Sequence, residues 1–108
     1  MRLYHNPRCS KSRQAFTIMQ NSGIAFEEYR YLDLGVHPSD ISILVELEGI
    51  IRMNDLESDV QLDPTNKSQI QELLQSNPKI LQRPILINGD KAIIGRPVEK
   101  ILTLLPSA

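Results

Sequence analysis

The sequence predicts an α/β fold with a central, mixed four-stranded sheet. Three observations support this prediction. A short β-rich segment at the start runs into a helical pattern, a second β-rich segment follows that helix, and two short β-rich runs joined by Asn-Gly-Asp stand near the end. With 108 residues the chain has the size of one domain, so we expect a single domain over residues 1–108.

The first two elements are a strand and a helix. Residues 1–5, MRLYH, are mostly apolar or aromatic and are followed by Asn-Pro, which is a turn signal, so they predict a strand. From Ser10 to Ser22 apolar residues recur at helical spacing, and Gly23 stands where a left-handed residue ends a helix. We therefore expect a helix that begins next to Cys9.

The middle of the chain has a weaker pattern. Residues 24–34, IAFEEYRYLDL, alternate loosely and predict a second strand. Residues 39–50 predict a helix with Ser39 as its N-cap and an end at Gly49. Residues 50–65 are the least regular part of the sequence and predict no element.

The last third predicts a helix, a hairpin and a final helix. Residues 66–77 have a helical pattern that stops before Pro78. RPILING (83–89) and KAIIGRP (91–97) predict two strands joined by a tight turn. Residues 97–105 predict a helix whose inward-facing residues are Val98, Ile101, Leu102 and Leu105.

This element order is that of a thioredoxin-like fold with helices inserted in its middle. A β-α-β unit comes first, then helices, then a hairpin and a last helix. The right-handed crossover rule makes the first two strands parallel, and the hairpin must be antiparallel.

Composition narrows the possible functions. The net charge of -1 leaves no strongly basic surface of the kind that binds nucleic acid, and no apolar run is long enough to span a membrane. We expect a cytoplasmic monomer. One cysteine and two histidines cannot form an internal disulfide or a structural zinc site, so we expect no metal. Four acidic residues show no acid–base pairing and are expected on solvated faces: Asp33, Asp40, Glu46 and Glu48.

The sole cysteine, Cys9, has an unusual setting for a structural residue. His5 precedes it by four residues, and Arg8, Lys11 and Arg13 surround it. A helix start favours an anion, and nearby cations lower the pKa of a thiol, so this setting favours a reactive thiolate. The alternative is a small core residue, the commoner fate of a lone cysteine, but Pro, Arg, Ser and Lys neighbours disfavour it.

The same turn is a candidate site for an oxyanion. Backbone N–H groups at a helix start bind phosphate-like ions, so we expect the sulfur to attack a tetrahedral oxyanion or a disulfide. Arg83 and Arg96 each precede a proline, and a guanidinium makes forked contacts with such oxyanions. From spacing alone, either arginine is equally explained as a solvent-exposed residue.

Three segments together carry a family resemblance. YHNPRCSKSR, NPKILQRPILI and IGRP resemble the ArsC-type arsenate reductases, the glutaredoxin-coupled branch of the thioredoxin-like fold, and most closely its short monothiol subgroup. The resemblance implies that Cys9 attacks arsenate to form a thiol-arsenate adduct. It implies glutathione as co-substrate and glutaredoxin as the partner that resolves the mixed disulfide, with no bound cofactor.

The resemblance also implies roles for residues near the thiol. His5 and Asn6 would tune the thiolate, and Ser12 and Arg13 would belong to the loop that holds the oxyanion.

Further roles follow for residues remote in sequence. Arg83 and Arg96 match two of the family's three substrate-binding arginines, and Pro84 would be the cis proline. The third family arginine falls in the middle segment, where this sequence departs from the family pattern. Arg52 lies there, about one turn before the expected place.

A regulatory protein is the alternative function. The same fold serves redox-sensing regulators that bind RNA polymerase, and many of them use Cys-x-x-Cys as a switch. Here Ser12 takes the place of the second cysteine, so the sequence favours the enzyme.

Overall fold

The computed structural model describes residues 1–57 and 59–106. Its sheet has four strands: β1 (Arg2–Tyr4), β2 (Glu27–Tyr29), β3 (Ile85–Asn88) and β4 (Lys91–Ile94). Their order is β2-β1-β3-β4, with β1 and β2 parallel and the other two pairs antiparallel. The predicted mixed sheet, parallel pair and hairpin are therefore confirmed.

Two helices agree with their predictions. Helix α1 spans Ser10–Ser22 and ends at Gly23, whose φ of 72° is the left-handed conformation expected there. A later helix spans Lys67–Ser76, and the Asn66 side chain caps it by accepting a hydrogen bond from a backbone N–H. In both, local sequence signals agree with the final packing.

Of the predicted strand over 24–34, only Glu27–Tyr29 is a strand. Pairing with the three-residue β1 stops at Tyr29, and Tyr31–Leu34 forms a short helix, α2. The Tyr31 ring turns inward and stacks on Tyr4 at a centroid distance of 6.0 Å. Burial of the Tyr31 ring therefore determines the local structure, and the strand does not continue past Tyr29.

The predicted helix over 39–50 is also much shorter. A 3₁₀ turn spans Pro38–Asp40 and helix α3 spans only Ile41–Leu44, so the helix over Lys67–Ser76 is α4. Ser39 is not an N-cap, because it lies inside the 3₁₀ turn and donates its N–H to the ring of His37.

The C-terminal segment is a 3₁₀ helix, Val98–Leu104, and not an α-helix. With about three residues per turn, Val98, Ile101 and Leu104 share the inward face. Leu102, predicted to face inward, is therefore exposed.

The sheet is covered on both faces. One face packs on α2, α3 and α4, with Tyr4, Ile85 and Leu74 in the core. The other face packs on α1 and the C-terminal 3₁₀ helix, around Leu3 and Leu86. Adjacent residues on one strand point to opposite faces, so each short strand contributes to both cores.

Asp40 is buried, contrary to the expectation of a solvated face. Its carboxylate accepts hydrogen bonds from Arg2 Nη1 at 2.8 Å and from the Tyr4 hydroxyl at 2.6 Å. The contact ties the segment after α2 to strand β1 and leaves the charge of Asp40 paired.

We expect Asp40→Ala to lower the free energy of unfolding by about 2 kcal/mol, because the buried Tyr4 hydroxyl loses its acceptor and Arg2 keeps only Glu27 as a partner. Urea denaturation would measure the change. Asp33→Ala is the matched control, since Asp33 is exposed on α2. Equal effects of the two substitutions would contradict a stabilising role for the Asp40 contacts.

Candidate active site

All four strands bring candidate residues to one edge of the sheet. Tyr4 pairs with Tyr29 and Ile85, and Ile85 pairs with Ile94. The loops that follow β1, β2 and β4 and the segment that precedes β3 therefore leave the sheet at the same edge. These segments carry Cys9, Tyr31, Arg96 and Arg83.

Cys9 is the N-cap residue of α1. It has extended backbone angles and is partly exposed. Its N–H donates to the Asn6 carbonyl at 3.0 Å, and its own carbonyl accepts from Arg13 N–H at 3.0 Å. These bonds fix the turn, so the sulfur lies at the positive end of the helix.

The pKa of the Cys9 thiol is lowered. Burial alone raises this pKa, but hydrogen bonds from the backbone N–H groups of Ser12 and Lys11 and from the Arg83 guanidinium outweigh it. Arg96 Nη2 also lies 3.9 Å from the sulfur. The two arginines expected from the sequence thus both lie close to the thiol.

His5, Asn6 and Ser12 form a buried bond network beneath the loop. Ser12 Oγ accepts from Asn6 N–H at 2.9 Å and lies 2.7 Å from His5 Nδ1. Burial lowers the pKa of His5; the charge of Glu28 raises it and those of Arg30 and Arg13 lower it, and the net downward shift favours the neutral imidazole. Of the two roles considered for His5, a cation or a hydrogen-bonding group, the structure favours the hydrogen bond.

Arg13 lies on the outer side of the loop. Its Nη1 donates to the Pro7 carbonyl at 3.0 Å, in an exposed position. Arg8 and Lys11 are also exposed. These cations surround the loop, whereas Arg83 and Arg96 approach the sulfur itself.

Arg52 is linked to Arg83 through one carboxylate. Asp55 Oδ2 lies 3.6 Å from Arg52 Nε and 3.3 Å from Arg83 Nη1. Arg96 Nε donates to the Arg83 carbonyl at 2.8 Å. Arg52 and Arg96 also line a common recess of about 270 Å³ together with Asn54 and Gln82. Despite the departure in sequence, Arg52 therefore belongs to the same arginine cluster, which we define as Arg52, Arg83 and Arg96.

Both Arg-Pro peptide bonds are cis, at Arg83–Pro84 and at Arg96–Pro97. The family resemblance implied only the first. Gly95 lets the two segments approach, because a Cβ there would lie 2.9 Å from Pro84 Cγ. Gly95 N–H donates to the Pro84 carbonyl at 2.8 Å.

Sequence reasoning missed two residues of this site, Asp55 and Tyr31. Tyr31 is fully buried, and its hydroxyl makes no hydrogen bond to the residues that the structure describes. Burial raises the pKa of Tyr31, and the charge of Arg83 and the nearby Asn6 side chain only partly offset this; Asn6 does not meet hydrogen-bond geometry with the hydroxyl. Arg83 Nε is likewise buried without a bond in the described chain. Neither Asp55 nor Tyr31 belongs to a sequence motif, so no local pattern predicted their place in the site.

Residues 1–57 and 59–106 contain neither a metal site nor a membrane-spanning helix. No group of three or more His, Cys, Asp or Glu side chains is arranged to hold a metal ion. None of the helices in this part of the chain has the length and apolar character needed to cross a membrane.

The fold and the site together define a class of protein. It is a thioredoxin-like α/β protein that presents one partly exposed cysteine, at a helix start, to a cluster of arginines. The chain belongs to the ArsC family, whose sequence model matches residues 4–104.

Known proteins similar to this chain agree with the assignment. It is 35% identical to the arsenate reductase of Neisseria meningitidis serogroup A, over 97% of each chain. It is 35% identical to the arsenate reductase of Haemophilus influenzae, over 95% of this chain and 97% of the relative. The solved structure of an arsenate reductase from Vibrio cholerae superimposes with a TM-score of 0.78 at 26% identity, covering 97% and 98% of the two chains. These relatives and the family support a thiol oxidoreductase.

A regulator is also among the similar proteins. The chain is 28% identical to the global transcriptional regulator Spx of Listeria innocua, over 96% of this chain and 86% of the relative. This similarity supports the regulatory alternative, at a lower identity than the 35% shared with the arsenate reductases.

We expect Arg83→Gln to slow alkylation of Cys9 by iodoacetamide severalfold near neutral pH. Loss of the guanidinium raises the pKa of the thiol, so the rate curve moves to higher pH. The wild-type and variant rates should converge above the free-thiol pKa of about 8.5. Arg30→Gln is the control, because Arg30 is exposed and pairs with Glu28. Superimposable pH profiles for Arg83→Gln and wild type would show that Arg83 does not act on the thiol.

We expect Tyr31→Phe to leave the free energy of unfolding unchanged or to raise it, because it removes a buried hydroxyl without a bond. Tyr29→Phe should lower it by about 1 kcal/mol, because the Tyr29 hydroxyl donates to the Gly35 carbonyl at 2.8 Å. Thermal or urea unfolding of both variants tests this difference in sign. A decrease in the free energy of unfolding for Tyr31→Phe as large as that for Tyr29→Phe would disprove the prediction.

Proposed function

We propose that this protein is a monothiol arsenate reductase that uses glutathione and glutaredoxin. The observation that carries the proposal is the Cys9 thiol of lowered pKa, at a helix start and 3.9 Å from Arg96. The names of the Neisseria and Haemophilus relatives support arsenate as the oxyanion.

The first step is attack of the Cys9 thiolate on arsenic. A sulfur–arsenic bond forms, and one arsenate oxygen takes up protons and leaves as water. The arginine cluster binds the remaining oxygens, because guanidinium groups make forked contacts with tetrahedral oxyanions. Arg52 serves as the third arginine from its place beside Asp55.

The second step reduces arsenic by two electrons. The glutathione thiolate attacks the Cys9 sulfur, so a disulfide forms and the sulfur–arsenic bond breaks with its electron pair left on arsenic. Arsenite is released. A glutaredoxin thiolate then takes the glutathione and frees the Cys9 thiolate for the next cycle. This chemistry fits the cytoplasm, where glutathione keeps thiols reduced.

The bond network beneath the loop positions the nucleophile. His5 and Asn6 hold Ser12 Oγ, so the Ser12 hydroxyl is occupied and its backbone N–H remains directed at the sulfur. We assign His5, Asn6 and Ser12 to positioning of the thiolate, and Arg13 to closure of the loop through the Pro7 carbonyl.

We expect arsenite formation when the protein is incubated with arsenate, glutathione and glutaredoxin. Cys9→Ser should reduce turnover to background, since no other cysteine is present. Ser10→Ala, a change at an exposed residue beside Cys9, should retain it. Absence of arsenite from a wild-type protein whose Cys9 is rapidly alkylated at neutral pH would rule out arsenate as the substrate and leave the thiol chemistry intact.

A transcription-regulatory role is the second candidate, favoured by the similarity to Spx. Retention of RNA polymerase on the immobilised protein, together with no arsenite formation, would support that role. A disulfide switch within the chain is excluded, because Cys9 is its one cysteine and Ser12 stands at the second position of the Cys-x-x-Cys pattern.

A further inference from the structure

Asp55 contacts two of the three arginines of the cluster. One carboxylate oxygen, Oδ2, approaches both Arg52 Nε and Arg83 Nη1. It is the only carboxylate paired with these arginines in the part of the chain that the structure describes. A carboxylate on two guanidinium groups makes the same kind of contact as an oxygen of a tetrahedral oxyanion.

The contacts of Asp55 are long for a permanent ion pair. Charge-assisted bonds from arginine to carboxylate are typically about 2.7–2.9 Å and often bidentate. Here the two distances are 3.3 and 3.6 Å, and both arginines share the same oxygen. The side chain is one-third exposed and lies at the end of the 3₁₀ turn Met53–Asp55, so it can rotate into water. This geometry is more typical of a carboxylate that an incoming anion can displace than of one that fixes the orientation of the arginines.

Arg83 stands between two anions. Its guanidinium pairs with Asp55 and also acts on the Cys9 sulfur. Its Nε is buried and has no bond within the described residues, so Arg83 does not use its full hydrogen-bonding capacity in this arrangement. Release of Asp55 leaves Arg83 and Arg52 available for the oxygens of an incoming anion.

We propose that Asp55 is a displaceable internal counter-ion that an oxyanion must replace in order to occupy the arginine cluster. Asp55 balances the charge of the empty site and raises the concentration at which any anion binds there. This inference rests on the proposed function, because it assumes that the arginine cluster is the oxyanion site.

The test uses inorganic sulfate as an inert tetrahedral probe and the full chain. Sulfate bound at the arginine cluster should protect Cys9 from iodoacetamide, and the half-protecting concentration is measured at constant ionic strength. Asp55→Asn removes the charge and keeps a side chain of the same shape. We expect its half-protecting concentration to fall about fivefold, as for loss of one partly exposed ion pair. In the absence of sulfate, its alkylation near neutral pH should be faster than that of wild type, because Arg83 is no longer shared.

Asp90→Asn is the matched control. It makes the same change in net charge in the hairpin turn, at the opposite end of β3 from Arg83, and should leave both readouts at wild-type values. Thermal unfolding of both variants verifies that each is folded.

Each other outcome has a defined meaning. A rise in the half-protecting concentration of Asp55→Asn would mean that Asp55 orients the arginines, and would overturn the inference. An unchanged value would overturn it as well, while the oxyanion site and the proposed function remain. Failure of both sulfate and phosphate to protect wild-type Cys9 would show that the arginine cluster does not bind oxyanions. It would therefore overturn both proposals.

Discussion

The register of β1 between β2 and β3 is the constraint on which the rest of the structure depends. Tyr4 lies opposite Tyr29 on one side and Ile85 on the other, so the three strands reach the same edge together. A shift of one residue would exchange the faces of Leu3 and Tyr4 and would place each side chain in the core that packs around the other. The two hydrophobic cores thereby fix the distance from Cys9 to the arginines, although these residues are far apart in sequence.

Local signals were sufficient where the chain needs no distant partner. The periodicity of α1, the left-handed Gly23 and the Asn-Gly hairpin each follow from a few neighbouring residues, and the sequence therefore predicted them together with Cys9 at the helix start. The helix α2 was missed because it depends on burial of Tyr31 against Tyr4. In the C-terminal segment, the choice between an α-helix and a 3₁₀ helix changes which residues face inward, and the apolar pattern of that segment suited both.

The charged residues show the same difference between local sequence signals and contacts with distant residues. Arg83 and Arg96 were found from their Arg-Pro context, and their common approach to the sulfur required the sheet edge. The sequence predicts Asp40 on a solvated face, which is wrong, and does not single out Asp55, because an isolated acidic residue in a loop has no signature of burial or pairing. Asp40 forms short bonds within the core and stabilises the fold, whereas Asp55 forms longer contacts at a partly exposed site. Bond length and exposure, rather than residue type, separate a structural carboxylate from one available for exchange.

The single cysteine and the residue three positions after it limit the disulfides that Cys9 can form. A chain with one cysteine cannot close a disulfide on itself, and the residue at the second position of a Cys-x-x-Cys pattern is Ser12, whose hydroxyl is fully buried between His5 and Asn6. Any disulfide at Cys9 therefore joins it to a second molecule, which must reach the sulfur from solvent. The partial exposure of Cys9 allows this approach, while the neighbouring N–H groups and arginines keep the sulfur reactive. Ser12 thus stands where an internal disulfide would need a second cysteine, and its buried hydroxyl also holds the loop that leaves Cys9 partly exposed.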